Sequence, residues 1–272
     1  MGHQAPQELF RSPAMLRPRI TPCLLVKNGG LVKTVKFDKP KYVGDPLNAV
    51  RIFNEKEVDE LIVLDIDASA LKREPDYELI RNLAAECRMP LCYGGGIKTV
   101  EQFQRLISLG VEKVAISSAA IDDAELVAAA SQKVGSQSVV VVMDVRKGGS
   151  PGDFMLCTNN GTRATSHGPA EFAKRMETLG AGEIVVNSID CDGVRKGYDS
   201  ELVSLVRNAT SLPMTVIGGA GSLKDIEELF RSFGIIGAAA GSLFVFKGPY
   251  RAVLINYPNR VEKGALSRQA LP

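Results

Sequence analysis

Short apolar runs rich in β-branched residues alternate with amphipathic segments along nearly the whole chain. The runs predict strands over Ile20–Val26, Glu60–Ile66, Pro90–Gly95, Lys113–Ser117, Ser138–Val145, Glu183–Ile189, Pro213–Gly218 and Ala238–Ser242. Between them, apolar residues at helical spacing predict helices over Pro46–Glu57, Asp76–Cys87, Val100–Leu109, Ala124–Lys133, Pro169–Leu179, Asp199–Asn208, Leu223–Phe233 and Pro249–Tyr257. The strand runs are continuously apolar rather than alternating, as parallel strands covered on both faces are. Eight strand–helix units in about 250 residues fit a (β/α)8 TIM barrel, an α/β fold. An open doubly wound sheet would carry its glycine fingerprint after the first strand, whereas glycine turns here follow the third and the seventh.

The pattern repeats. Pro90 pairs with Pro213, Glu60 with Glu183 and Asp67 with Asp190, each at a separation of 123 residues. Strands two to four are thereby echoed by six to eight, so the barrel is expected to be half-barrel-duplicated, with two similar sites facing each other across its C-terminal rim. Aligning Ile20–Gly30 with Val139–Gly149 matches Lys27 to Arg146 and Gly29-Gly30 to Gly148-Gly149, and sets Leu25 against Asp144.

Composition changes this picture little. The chain is 45% hydrophobic and 24% charged with a net charge of +2, so no nucleic acid or acidic membrane is called for as a partner. No apolar run approaches the roughly 20 residues that span a bilayer. Five scattered cysteines without a CxxC pair suit free thiols in a reducing, cytoplasmic setting. Two distant histidines offer no zinc site. Met1–Ala14 shows no apolar periodicity and is read as a disordered or artificially added extension, not a signal peptide, ahead of a single barrel over 15–272.

The candidate chemistry sits at strand ends. Gly95, Gly96, Ser117 and Ser118 form one set of glycine turn and hydroxyls; Gly219, Gly221, Gly241 and Ser242 form the other. Exposed backbone N–H groups and serine hydroxyls are the parts of a phosphate cradle, so a phosphate-binding barrel is expected, with a substrate phosphorylated at both ends. Close packing of small residues is the alternative. Asp65, Asp67, Asp144, Asp190 and Asp192 end strands at the mouth. Asp144 is the best general acid/base candidate, against a structural ion pair with Arg146 or Lys147. Its counterpart Leu25 cannot move a proton. At the opposite ends Arg19, Glu60, Lys113 and Glu183 alternate in sign and could close the axial passage; spacing alone favours ordinary solvated strand ends.

Together these stretches resemble the cyclase subunit (HisF type) of imidazole glycerol phosphate synthase. The likeness is carried from Met15 to about Pro258 by Gly94-Gly95-Gly96-Ile97, Ser188-Ile189-Asp190 with Asp192-Gly193, Gly218-Gly219-Ala220-Gly221 and Gly241-Ser242-Leu243-Phe244. The resemblance implies a barrel with no metal or organic cofactor. It implies a glutaminase subunit (HisH type) at the N-terminal face, whose ammonia travels the barrel axis to a bis-phosphate substrate. That substrate is split and cyclised to imidazole glycerol phosphate and an aminoimidazole carboxamide ribotide, in histidine biosynthesis. By the same resemblance Arg19, Glu60, Lys113 and Glu183 are the charged gate, Lys33 is the loop lysine that closes over substrate, and Asp192 and Gly193 join the substrate-binding set. The two catalytic aspartates fall on Leu25 and Asp144, so the first acid is missing. Ser117-Ser118 replace the usual Asn-Thr, and Ile217 replaces a serine. A paralogous branch with an altered first strand supplies ammonia, with its own glutaminase, for a third protein that amidates a surface-polysaccharide sugar. Leu24-Leu25 and Lys33-Thr34-Val35-Lys36-Phe37 look more like that branch.

Overall fold

The structure is a computed structural model that describes residues 17–150 and 152–270; the extension expected over Met1–Ala14 lies outside them. Eight strands form the frame: β1 (Arg19–Lys27), β2 (Leu61–Asp65), β3 (Leu91–Gly94), β4 (Lys113–Ile116), β5 (Val139–Lys147), β6 (Glu183–Ser188), β7 (Met214–Ile217) and β8 (Gly237–Ala240). Each pairs in parallel with its neighbours, and β8 returns to β1 with Arg19 opposite Gly237, which closes the barrel. The eight expected strands are all present, to within a few residues at their ends.

Strand alternation sorts the side chains. Along β1, Ile20, Leu24 and Val26 pack outward against the helices, whereas Cys23 and Leu25 point inward. The inner cluster of Cys23, Ile62, Cys92, Ala115, Val140, Val142, Val185, Ile217 and Ala239 fills the barrel axis with small and branched apolar groups. Closure leaves no sheet edge to cap, so the larger outer core between strands and helices can carry most of the burial.

Helices α1 (Pro46–Glu55), α2 (Tyr77–Glu86), α3 (Val100–Ser108), α4 (Glu125–Val134), α5 (Pro169–Thr178), α6 (Ser200–Arg207) and α7 (Leu223–Phe233) lie where periodicity places them. Their starts are written locally. Asp45, Asp76 and Asp199 each accept a backbone N–H at the N-cap, and Thr99 with Gln102 makes a capping box.

The eighth helix departs from expectation. Residues 249–257 are not helical: Phe246–Lys247 pairs instead with Ala252–Val253 in a small hairpin. Helix α8 occupies Arg260–Arg268, begun by a capping box of Asn259 and Glu262. Pro258 disfavours helical geometry at Tyr257, so the apolar run before it could not continue into a helix. That run is anchored by Tyr257 instead, whose hydroxyl donates to the Ile20 carbonyl at 2.7 Å.

Two further hairpins rise from the C-terminal rim. One pairs Gly30–Val35 with Asp38–Gly44 after β1, and the other is built on Phe154–Thr158 after β5. They stand at corresponding places in the two halves. All five cysteines are free thiols, and among the described residues no helix is long and apolar enough to cross a membrane.

Candidate functional site: one mouth and one ring

The C-terminal ends of the strands surround an open basin of about 1260 Å³, which the expected residues line in large part. Leu25, Lys33, Gly95, Gly96, Ser117, Ser118, Asp144, Asp192, Gly193, Gly219, Gly241 and Ser242 all face it. Gly221 does not line it. Its N–H donates at 2.7 Å to Asp225, the carboxylate that caps α7, so the proton that would hold a phosphate is already used.

Gly95 and Gly219 show why glycine is needed at the paired turns. Both have positive φ, +123° and +118°. An added Cβ would run into the Asp65 carbonyl oxygen at one turn and the Gly197 carbonyl oxygen at the other. The turns are therefore packed flat onto neighbouring backbone and present their other side to the basin.

Asp144 stands partly buried at the end of β5. Ser117 Oγ donates to one carboxylate oxygen at 3.0 Å, and Asn187 Nδ2 donates to the other at 2.9 Å. Burial pushes its pKa up from 3.8 to about 6, although both hydrogen bonds favour the charged form. The structural ion pair considered for it is absent among the described residues: Lys147 bonds Asp199 at 3.1 Å instead. Asn187 was not singled out from sequence. The available signal was an amide at an inward position of an otherwise apolar strand.

Across the mouth, Leu25 packs with the inner cluster beside Leu64. With Val142 and Ile217 they give the basin an apolar floor where a second acid would stand.

The other strand-end acids build turns. Asp65 accepts the N–H groups of Asp67 and Ala68, Asp67 pairs with Lys27 at 3.5 Å, and Asp190 accepts the Lys147 N–H. Asp192 latches the first hairpin, accepting from Thr34 Oγ1 at 2.7 Å and Phe37 N–H at 3.1 Å. Lys33, on that hairpin, is folded inward. Its ammonium donates to the Cys23 carbonyl at 2.6 Å, and burial lowers its pKa despite the nearby Asp192.

At the opposite end the four strand-start charges form a closed ring. Arg19 bonds Glu60 at 3.1 Å and Glu183 at 2.6 Å; Lys113 bonds Glu60 at 2.6 Å and Glu183 at 2.8 Å. Both glutamates are buried, so the reading of these residues as solvated strand ends is wrong. Burial alone would raise the pKa of Glu183, but Arg19 and Lys113 outweigh it and hold it low. Thr215 Oγ1 adds a donor to Glu183 at 2.6 Å. Among charged neighbours so placed, each group satisfies two others.

A closed parallel barrel with duplicated halves, a glycine-walled mouth above and an ion-paired ring below places the molecule among the half-barrel-duplicated (β/α)8 proteins. The chain belongs to the histidine biosynthesis protein family, whose model matches residues 19–250. It is of the HisF type. It is 58% identical to "Putative imidazole glycerol phosphate synthase subunit hisF3" of Vibrio vulnificus, over 92% of this chain and 96% of that protein. It is 55% identical to "Putative imidazole glycerol phosphate synthase subunit hisF2" of Pseudomonas aeruginosa, over 92% and 100%. Against the imidazole glycerol phosphate synthase subunit HisF of Lactococcus lactis (strain SK11) identity falls to 41%, over 85% and 89%. The likeness is thus stronger to these numbered copies than to that HisF.

Proposed function

We propose that this chain is the ammonia-receiving barrel subunit of a glutamine amidotransferase, docking a HisH-type glutaminase at its N-terminal face and holding a phosphorylated ligand at its mouth. The observation that carries the reading is the ring of Arg19, Glu60, Lys113 and Glu183 at the foot of the apolar inner cluster that lines the barrel axis. Neutral ammonia crosses such a lining far more cheaply than ammonium does, and the ring of paired charges stands as a polar door across it.

Two outcomes at the mouth are open to such a subunit. One is cyclisation and cleavage of the bis-phosphate ribotide with Asp144 as the sole proton carrier. The other is delivery alone, with the ammonia passed on for amidation of a polysaccharide sugar by a third protein. Leu25 favours delivery, because losing a positioned acid costs about 10²–10⁴ in rate. Incubating the purified barrel with the bis-phosphate ribotide and ammonium salt decides between them. Delivery expects no turnover above background, with turnover appearing in Leu25→Asp. Turnover at the two-aspartate rate in the unmodified chain would sink it. The ammonia reading is tested separately: the barrel should stimulate its glutaminase partner, and Lys113→Met should uncouple glutamine use from ammonia arrival.

A further inference from the structure

The small hairpin of Phe246–Lys247 and Ala252–Val253 stands where an eighth barrel helix was expected, and it exposes apolar groups that a helix would have buried. Tyr250 is 95% exposed, Leu254 53% and Val253 48%. The other large exposed apolar side chains are scattered over unlike elements, as on any soluble surface. Cations frame this cluster. Lys247 and Arg251 lie on either side of Tyr250, and Lys41 of the first hairpin brings its Nζ to 5.8 Å from the Phe246 ring. None of the three is ion-paired among the described residues. The stretch Phe246–Val261 contains no carboxylate, so three positive charges gather here in a chain whose net charge is only +2.

We propose that this patch docks an acidic segment of another protein, which sets an apolar or aromatic side chain against Tyr250 and carboxylates beside Lys41, Lys247 and Arg251. The inference goes beyond the reading above and does not depend on it.

The charges select the occupant. A second copy of the chain, joined patch to patch about a twofold axis, would oppose cation to cation. A lipid surface is served by several projecting apolar groups, and here only Tyr250 projects. Leu254 is tied back to the barrel, its N–H donating to the Val245 carbonyl at 2.9 Å. Asn256 Nδ2 clasps the same strand, donating to the Leu254 carbonyl at 3.1 Å and the Leu243 carbonyl at 3.3 Å. The patch is thus a preset shelf with one raised ring. A shelf already ordered loses little freedom on binding, and an exposed tyrosine beside an arginine is the pairing that carries most energy in protein interfaces. Lys41 also fixes the place. It pairs across the first hairpin with Lys33, which lines the basin, so the docked segment would lie beside the mouth.

Anisotropy titration of the whole chain tests this, with labelled twelve-residue peptides in which leucine or phenylalanine is moved through a glutamate-rich frame. At least one peptide should bind saturably, and about tenfold more weakly when its glutamates are replaced by glutamine. Tyr250→Ala should weaken it about tenfold as well, and Arg251→Glu at least as much. Lys133→Glu makes the same charge change at an exposed site on α4, and should alter binding less than about twofold. Equal losses in Lys133→Glu and Arg251→Glu would reduce the effect to bulk attraction and overturn the proposal. Full affinity in Tyr250→Ala overturns it too, as does the failure of every peptide at millimolar concentration. Vesicles of phosphatidylglycerol and phosphatidylcholine are the competing probe: sedimentation of the chain with them, lost in Tyr250→Ala, would assign the patch to lipid instead. None of these outcomes touches the ammonia reading, which glutaminase stimulation reports separately.

Discussion

The two ends of the barrel axis are built on opposite principles. At the foot, four charges meet in a ring in which every cation touches both carboxylates. At the mouth, three carboxylates face the basin with one lysine, and one of two symmetry-related acid positions holds leucine. The foot is self-sufficient and the mouth is not. A self-sufficient polar cluster holds itself together, whereas unmet acceptors and an unshared cation are what a ligand completes. The contrast also locates where this chain differs from a two-acid barrel: the ring at the foot is complete, and the acid pair at the mouth is not.

Breaking the foot should have the largest effect on stability. Lys113→Met leaves Glu60 and Glu183, 4% and 6% exposed, sharing Arg19 alone. Loss of one partner from a buried ionic cluster should cost about 3–5 kcal/mol in denaturant unfolding. A loss under about 1 kcal/mol would mean that the ring behaves as exposed ion pairs do.

The mouth should respond to pH instead. Burial raises the pKa of Asp144 from 3.8 to about 6 in the folded protein. Between those values the folded chain keeps a proton that the unfolded chain has released. Stability contributed by this residue therefore falls as pH rises across that window, by an amount on the order of 3 kcal/mol. Asp144→Asn should remove that slope, and equal pH profiles for the two proteins would refute the assignment. The smallest effect is expected at the latch: Asp192→Asn weakens the charged acceptor of Thr34 and Phe37 and should cost about 1 kcal/mol locally. Faster amide exchange at Phe37, with the barrel strands unchanged, is the signature to seek.

How far the sequence alone reached follows the same division. The eight strands were legible because buried parallel strands are written as unbroken β-branched runs, and seven helices because of their apolar periodicity, helped by side-chain caps at several of their starts. The hairpin after β1 went unread although Leu31–Val35 has strand-like residues after a double-glycine turn, since a barrel loop was expected there. The last helix was misplaced because the apolar stretch before Pro258 outweighed the Asn259–Glu262 capping signal. At the site, glycine turns and strand-end acids stand out in a linear text. What could not be read was partnership: that Ser117 spends its hydroxyl on Asp144, that Asp225 consumes the Gly221 N–H, and that spaced strand-start charges converge. Those are facts about which loops meet, and spacing along a chain does not contain them.

The ring also says something about how the molecule could be assembled from pieces. Arg19, Glu60 and Lys113 come from the first four strands, and Glu183 from the last four. Two copies of the first half would bring four cations to two carboxylates; two copies of the second would bring carboxylates without any cation. Only unlike halves neutralise each other. If the chain were severed between β4 and β5, the fragments would be expected to prefer each other over themselves, with the charges at the foot acting as the recognition code that forbids self-pairing.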